Sequence, residues 1–282
     1  MAQRGGGGRR QRQRRQQVQY EELDKYPVMP PHAFARIVRD LRTLNIIYQV
    51  IEPPLTKKEE EVRSEIMDIF IQALTADIEE IDANPELYLR AAMDQIIKSY
   101  RLKVNKKSRS KIFYYLKRDL IGYGRMDVLM NDANVEDVSL DGTNIPIFAY
   151  HRKFESVETT CVWETDEELE SYVIKLAQRC GKHISVADPL LDATLMDGSR
   201  IVMKLGHEIS TRGSAFCIRR FRDDPFSPCD IIAFRTLSSL MGAYLWVAFQ
   251  NEVPMLFVGG TASGKTTTLN AMCIFIPWQM KI

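Results

Sequence analysis

With 282 residues, 45% of them hydrophobic, the chain is long enough for two or three compact domains, and a formal net charge of +1 gives no overall pull toward nucleic acid or anionic lipid. Cys161, Cys180, Cys217, Cys229 and Cys273 are scattered and form no C-x-x-C pair, which argues against a disulfide framework or a zinc site and for a reducing compartment. No apolar run approaches the roughly 20 residues of a membrane span, 237–249 being the longest, and no signal peptide opens the chain, so a soluble intracellular protein is expected.

Residues 1–19 carry Arg4, Arg9, Arg10, Arg12, Arg14 and Arg15 among glycines and glutamines, without an acid. Such a tail cannot offset its ordering entropy by burial and is expected to be disordered. Its charge suits contact with RNA or an anionic membrane face, or simply solubility.

Residues 20–120 read as a mostly helical module. Pro27, Pro30 and Pro31 break the chain, and Phe34, Ile37, Val38 and Leu41 recur at helical spacing, which predicts a short helix over 33–44. A strand is expected at 46–51, ended by Pro53 and Pro54. Thr56 and Glu59 have the form of a capping box, opening a long helix with its apolar stripe at Val62, Ile66, Ile69, Phe70, Ala73 and Leu74. Helices are expected at 85–100 and 110–120, with the basic stretch 103–111 as a solvated loop between them.

Residues 121–221 read as an α+β domain with a largely antiparallel sheet. Strands are predicted at 135–140, 145–150, 154–163, 190–195, 200–205 and 214–221, with turns at Asp141-Gly142 and Asp197-Gly198. Thr165 and Glu168 cap a helix whose stripe is Leu169, Tyr172, Val173, Leu176 and Ala177, and Gly181 marks its stop. His183 and His207 suit structural hydrogen bonding better than catalysis, and Asp188, Asp192 and Asp197 suit turns better than a metal cluster. Residues 222–233, with two prolines and two acids already within 222–229, read as a hinge linker.

From 234 to 282 the pattern is that of the start of a doubly wound nucleotide-binding domain. An apolar helix is expected over 234–249, then a buried strand at 255–258. Next comes G-x-x-x-x-G-K-[ST], with Gly259, Gly264, Lys265 and Thr266 in the defining places. Amides of Gly260, Thr261, Ala262, Ser263, Gly264, Lys265 and Thr266 would form a concave anion site at the start of a helix. Lys265 would reach the β- and γ-phosphates, Thr266 would ligate Mg²⁺, and Thr267 would stand near the α-phosphate, so ATP and Mg²⁺ are the implied ligands.

Several further motifs keep a common order: Leu120-Ile-Gly-Tyr-Gly124, Val135-Glu-Asp-Val-Ser139, Tyr150-His-Arg-Lys-Phe154, Cys180-Gly-Lys-His-Ile184, Asp197-Gly-Ser-Arg200, Thr211-Arg-Gly-Ser214 and Ile218-Arg-Arg-Phe221. With the glycine-rich turn, they make the chain resemble the type II/type IV secretion ATPase superfamily, most closely its archaeal branch, which drives assembly of archaella and type IV pilus-like filaments. The resemblance runs from about Tyr48 to the end. It implies a multidomain α/β and α+β fold: a helical N-terminal module, an α+β sensor-like domain and the start of a RecA-like P-loop domain. It implies homo-hexamers that close on ATP and turn against a polytopic membrane platform protein, peripheral to the inner face of the cell membrane and in the cytoplasm. Nucleic acid is not among the partners it implies.

In the family, arginines of the upstream domain reach the phosphates, and Arg200, Arg212, Arg219 and Arg220 lie in the matching segments. Arg219 and Arg220 must face opposite sides of a strand, so at most one of them serves a given site. Arg212 and Arg219, with Lys265, are the catalytic candidates. The family's acidic box, Walker B acids and histidine box would lie beyond Ile282. The chain is therefore expected to be an N-terminal portion that binds ATP without hydrolysing it alone. A nucleic-acid translocase on the same core and a non-enzymatic scaffold are the alternative readings.

Overall fold

Ala33, Ala35 and Ile37 are buried while Phe34 and Arg36 stay partly exposed, a period of two that belongs to a strand. The computed structural model describes residues 19–72, 84–221, 225–260 and 263–280. In it these residues form β2 (Ala33–Asp40), antiparallel to β1 (Tyr20–Met29) and to β3 (Ile46–Ile51). The helix expected over 33–44 is thus corrected to a strand. Its residues do fit a helical stripe, but ladders on both sides outweigh that local pattern. Pro27 sits at a register shift of the edge strand β1, where a missing N–H donor is tolerated.

Among the described residues, three helices follow. The capping box at Thr56 forms: the Glu59 N–H donates to Thr56 Oγ1 at 3.3 Å and the Thr56 N–H to the Glu59 carboxylate at 2.8 Å, opening α1 (Lys57–Gln72). Asn84 caps α2 (Pro85–Ser99), and Asn105 caps α3 (Lys106–Leu120) by accepting the Ser108 N–H at 2.8 Å. That cap draws Lys106 to Lys111 into the helix, correcting the loop expected there. The helices bury Ile66, Met93, Ile112 and Leu116 in a core of their own. So the stretch 20–120 divides, its strands joining the large sheet and its helices packing together. Glu52, just past β3, ties the two parts by pairing with Arg118 of α3 at 2.7 Å. Ala73, Leu74 and residues 1–18 lie outside the described residues.

After α4 (Asp127–Asn131) come β4 (Val135–Leu140), β5 (Pro146–His151), β6 (Glu155–Val162), α5 (Asp166–Arg179), β7 (Leu190–Thr194), β8 (Arg200–Lys204) and β9 (Ala215–Arg219). Apart from α4, which is unexpected, these are the predicted elements with only their ends displaced. The nine strands of the described residues lie in one sheet of order β1-β2-β3-β6-β5-β4-β9-β8-β7, antiparallel except for β3 beside β6. Alternation along β8 and β9 sends Ile201, Met203, Phe216 and Ile218 into the core shared with Leu169, Val173 and Leu176 of α5. Arg200, Val202, Lys204, Cys217 and Arg219 face outward.

The chain separates into two compact units, residues 1–221 and 222–282. In the second, Ser227 and Asp230 form a capping box that opens α6 (Pro228–Ala233), so part of the expected hinge is helical. Ser238 caps α7 (Ser239–Gln250), which therefore starts later than the predicted 234. α8 (Lys265–Met272) completes a small core with Ile231, Ala271 and Met272 at its centre. No strand forms at 255–258, where Leu256 and Val258 are 87% and 81% exposed. The buried strand expected there is corrected, because a strand needs a ladder partner and the described residues of this unit include no other strand. Among the described residues, no helix is long and apolar enough to cross a membrane.

Candidate functional site

The glycine-rich turn closes on itself just before α8. Gly264 takes a φ of +82°, a left-handed conformation that glycine adopts at least cost, and the next residue begins the helix. Ser263 Oγ donates to the Gly260 carbonyl at 2.9 Å, and the Lys265 ammonium donates to the same oxygen. A Cβ at Gly259 would lie 2.6 Å from Ser263 Oγ, so the chain doubles back tightly there. Gly259, Gly260, Ser263, Gly264 and Lys265 are thus brought together, while Thr266 and Thr267 stand exposed on the first turn of α8. Thr261 and Ala262 lie outside the described residues. Unpaired N–H groups at the start of α8 and an adjacent ammonium make this a place that favours an anion.

The arginines belong to the first unit and do not converge. Arg219, at the end of β9, has its side chain 80% exposed and its Nε 3.3 Å from Asp137 Oδ1. Arg200 of β8 pairs directly opposite it. Arg220 turns to the other side, as the alternation requires, and donates to the carbonyls of Val135, at 2.8 Å, and Asp132. That places Arg220 as a brace for the 132–135 turn. Arg212 precedes β9 and lines an open cleft of about 630 Å³ with Thr143, Asp166 and His207. The whole of β9, roughly 13 Å from Ala215 to Arg219 at the usual rise, separates Arg212 from Arg219.

Two polar clusters escaped the sequence reading because their members lie far apart in the chain. In the first, Asp166 sits between the Thr143 hydroxyl and His207, whose Nε2 is 3.0 Å from Asp166 Oδ2. In the second, Asp132, only 2% exposed, accepts the hydroxyls of Tyr26 at 2.6 Å and Tyr48 at 2.7 Å. Burial, reinforced by this carboxylate, drives both phenol pKa values upward. The second cluster sews β1 and β3 to the turn before β4.

No protein-family model matches the chain. Over 164 residues it is 43% identical to the uncharacterised protein MJ1288 of Methanocaldococcus jannaschii, covering 58% of this chain and 65% of that one. MJ0900 of the same organism, also uncharacterised, is 38% identical over 182 residues, covering 64% of this chain and 33% of its own length. The chain therefore spans less than two thirds of these relatives. Among solved structures, the VirB11 ATPase of the Brucella suis type IV secretion system, in complex with sulphate, aligns with a TM-score of 0.35 at 18% identity, covering 60% of this chain and 54% of that one. The Legionella pneumophila ATPase DotB aligns with a TM-score of 0.30 at 16% identity, covering 52% and 40%.

Proposed function

We propose that this chain binds Mg-ATP at residues 259–267 as part of a motor ATPase of the type II/type IV secretion family, powering archaellum or pilus-like filament assembly or protein secretion. The observation that carries the reading is the G-x-x-x-x-G-K-T run joined directly to a helix at Lys265 through a left-handed Gly264. Around Gly260 and Gly264 a Cβ would touch none of the described residues within 4 Å, which leaves room for an anion to approach the backbone. In this proposal the Lys265 ammonium leaves the Gly260 carbonyl for the terminal phosphates, and the Thr266 hydroxyl holds Mg²⁺. Arg212 and Arg219 supply positive charge from the upstream domain, where it would offset charge on the transferring phosphoryl group. Assembly as a homo-hexamer in the cytoplasm, against a membrane platform protein, belongs to the same proposal.

Calorimetric titration of Mg-ATP into the parent and Lys265→Ala proteins tests it. The parent should bind and the variant should lose at least tenfold in affinity, the scale of a charge-assisted contact to phosphate. Equal affinities would remove residues 259–267 from the account.

A further inference from the structure

The loop that carries Arg212 is fixed in three places. At its neck the Gly206 N–H donates to the Oγ of buried Ser214 at 2.9 Å. Near its start His207 meets Asp166 at 3.0 Å. At its far end the Arg212 carbonyl accepts the Thr143 N–H at 3.3 Å. Asp166 links the last two, since its other oxygen accepts the Thr143 hydroxyl. Packing leaves little slack: a Cβ at Gly142 would lie 2.1 Å from the Arg212 carbonyl oxygen, and one at Gly213 would lie 3.2 Å from Asp166 Oδ1 and 3.3 Å from His207 Nε2. One carboxylate, on the first residue of α5, therefore holds both the β4–β5 turn and the 206–213 loop.

The Arg212 side chain is treated differently from its backbone. Among the described residues its guanidinium has neither an ion pair nor a hydrogen bond, and it borders the open cleft. A backbone held from several sides with its charged tip left unengaged is the arrangement of a preorganised binding group, which needs no rearrangement when an anion arrives.

We infer that Asp166, His207 and Thr143 are positioning residues for Arg212, holding its loop in place for a phosphate and loosening that hold when His207 gives up its proton. The inference rests on the reading above that Arg212 serves the nucleotide phosphates. Hydrogen bonding to Asp166 raises the His207 pKa, and hydrogen bonds from Thr143 and then His207 lower that of Asp166. Glu170 of α5 also faces His207 and favours its charged form, while Arg212, Glu164 and Glu167 border the same cleft. For a histidine shifted upward, the hold is complete below about pH 6.5 and is lost as pH rises through the raised value. For an aspartate shifted downward, it is lost only as pH falls through the lowered one.

The test uses the full chain and compares Mg-ATP affinity in the parent, His207→Ala and His207→Lys proteins at pH 6.0 and 8.5. Taking ratios between proteins at each pH cancels the titration of ATP itself. The parent should bind about threefold to tenfold more tightly than His207→Ala at pH 6.0, the range of one lost hydrogen bond, and the ratio should shrink at pH 8.5. His207→Lys, which keeps its charge at both values, should restore binding without the pH dependence. In an Arg212→Ala background, His207→Ala should have no further effect. A parent-to-variant ratio that is the same at both pH values, or a loss that adds fully to that of Arg212→Ala, overturns the inference. Either result, with Lys265→Ala still failing to bind, leaves the nucleotide site standing; unchanged binding in Lys265→Ala overturns the site reading and this inference with it. The His207 side chain is 55% exposed, so its variants should melt as the parent does, which separates lost positioning from lost folding.

Discussion

Arg200 of β8 and Arg219 of β9 stand directly opposite each other in an antiparallel pair, and the carboxylate of Asp137, on β4, flanks Arg219 at 3.3 Å from its Nε. The row thus holds two positive charges and one negative. Like charges directly opposed across a sheet are destabilising, and one carboxylate offsets only part of the repulsion. Arg200→Glu should therefore raise stability by about 0.2–1 kcal/mol, the worth of an exposed cross-strand pair. If the row faces phosphate, the same change should weaken Mg-ATP binding. Urea denaturation and nucleotide titration on one sample measure both, and a less stable variant would show that the two arginines do not oppose each other in this way.

Asp132 shows how a buried carboxylate can hold a sheet together. Two phenolic hydroxyls share its Oδ2, and the Asn134 N–H reaches Oδ1 at 2.8 Å. Tyr48→Phe removes one donor and leaves the carboxylate with others, so a loss of about 1–2 kcal/mol is expected. Asp132→Ala takes the acceptor from two hydroxyls and an N–H at once, Tyr26 keeping only its contact with His151, and should cost about 3 kcal/mol or more. Chemical denaturation distinguishes the two, and equal costs would mean that Tyr48 alone makes the connection.

This cluster was not legible in the sequence, and the reason is physical. Tyr26 and Asp132 are 106 positions apart, and Tyr48 and Asp132 are 84 apart, so only the fold makes them neighbours. Local patterns fared better where one periodicity was unopposed. The stripe from Leu169 to Ala177 and the cap at Thr165 placed α5, because helix and cap signals agreed. Residues 33–44 satisfied two patterns at once, and pairing with β1 and β3 decided between them. At 255–258 the apolar run reads as a strand, but hydrophobicity without a pairing partner does not make one. The glycine-rich turn was legible because its geometry depends on residues adjacent in the chain; the supports of Arg212 were not, since they come from three separate elements.

His151 sets a pH dependence of opposite sign to that of His207. It is 2% exposed, and its Nδ1 accepts the Lys153 N–H at 3.1 Å, which leaves the ring proton on Nε2, 3.0 Å from the Tyr26 hydroxyl. The neutral ring therefore has both nitrogens in use. Burial is the main cause that lowers its pKa, against the opposing pull of Asp132 and Asp24. Because the unfolded chain takes up the proton first, at an ordinary value near 6.5, stability present above that pH should decline as pH falls toward the lowered folded value. His32, also lowered by burial, adds to the same slope. Melting curves from pH 7.5 to 5 should be flatter for His151→Gln than for the parent, and identical slopes would show that the ring accepts a proton without disturbing the fold.

The glycines of the turn before α8 are not equivalent, and that permits a graded test. Gly264 is left-handed with φ +82°, and none of the described residues within 4 Å would obstruct a Cβ there, so Gly264→Ala costs chiefly backbone strain, about 1–2 kcal/mol. Relaxing that strain would re-aim the N–H groups leading into α8, so the variant should lose Mg-ATP affinity even while folded. At Gly259 a Cβ would press on Ser263 Oγ, a short side chain that can rotate away at the expense of its hydrogen bond to the Gly260 carbonyl. Gly260 has no left-handed φ, a Cβ there would meet none of the described residues within 4 Å, and Gly260→Ala keeps the backbone N–H. Affinity should therefore fall most for Gly264→Ala, less for Gly259→Ala and least for Gly260→Ala. If Gly260→Ala were the most damaging of the three, the phosphate would have to approach closest at Gly260, and the N–H groups around Gly264 would lose their place as the main contact.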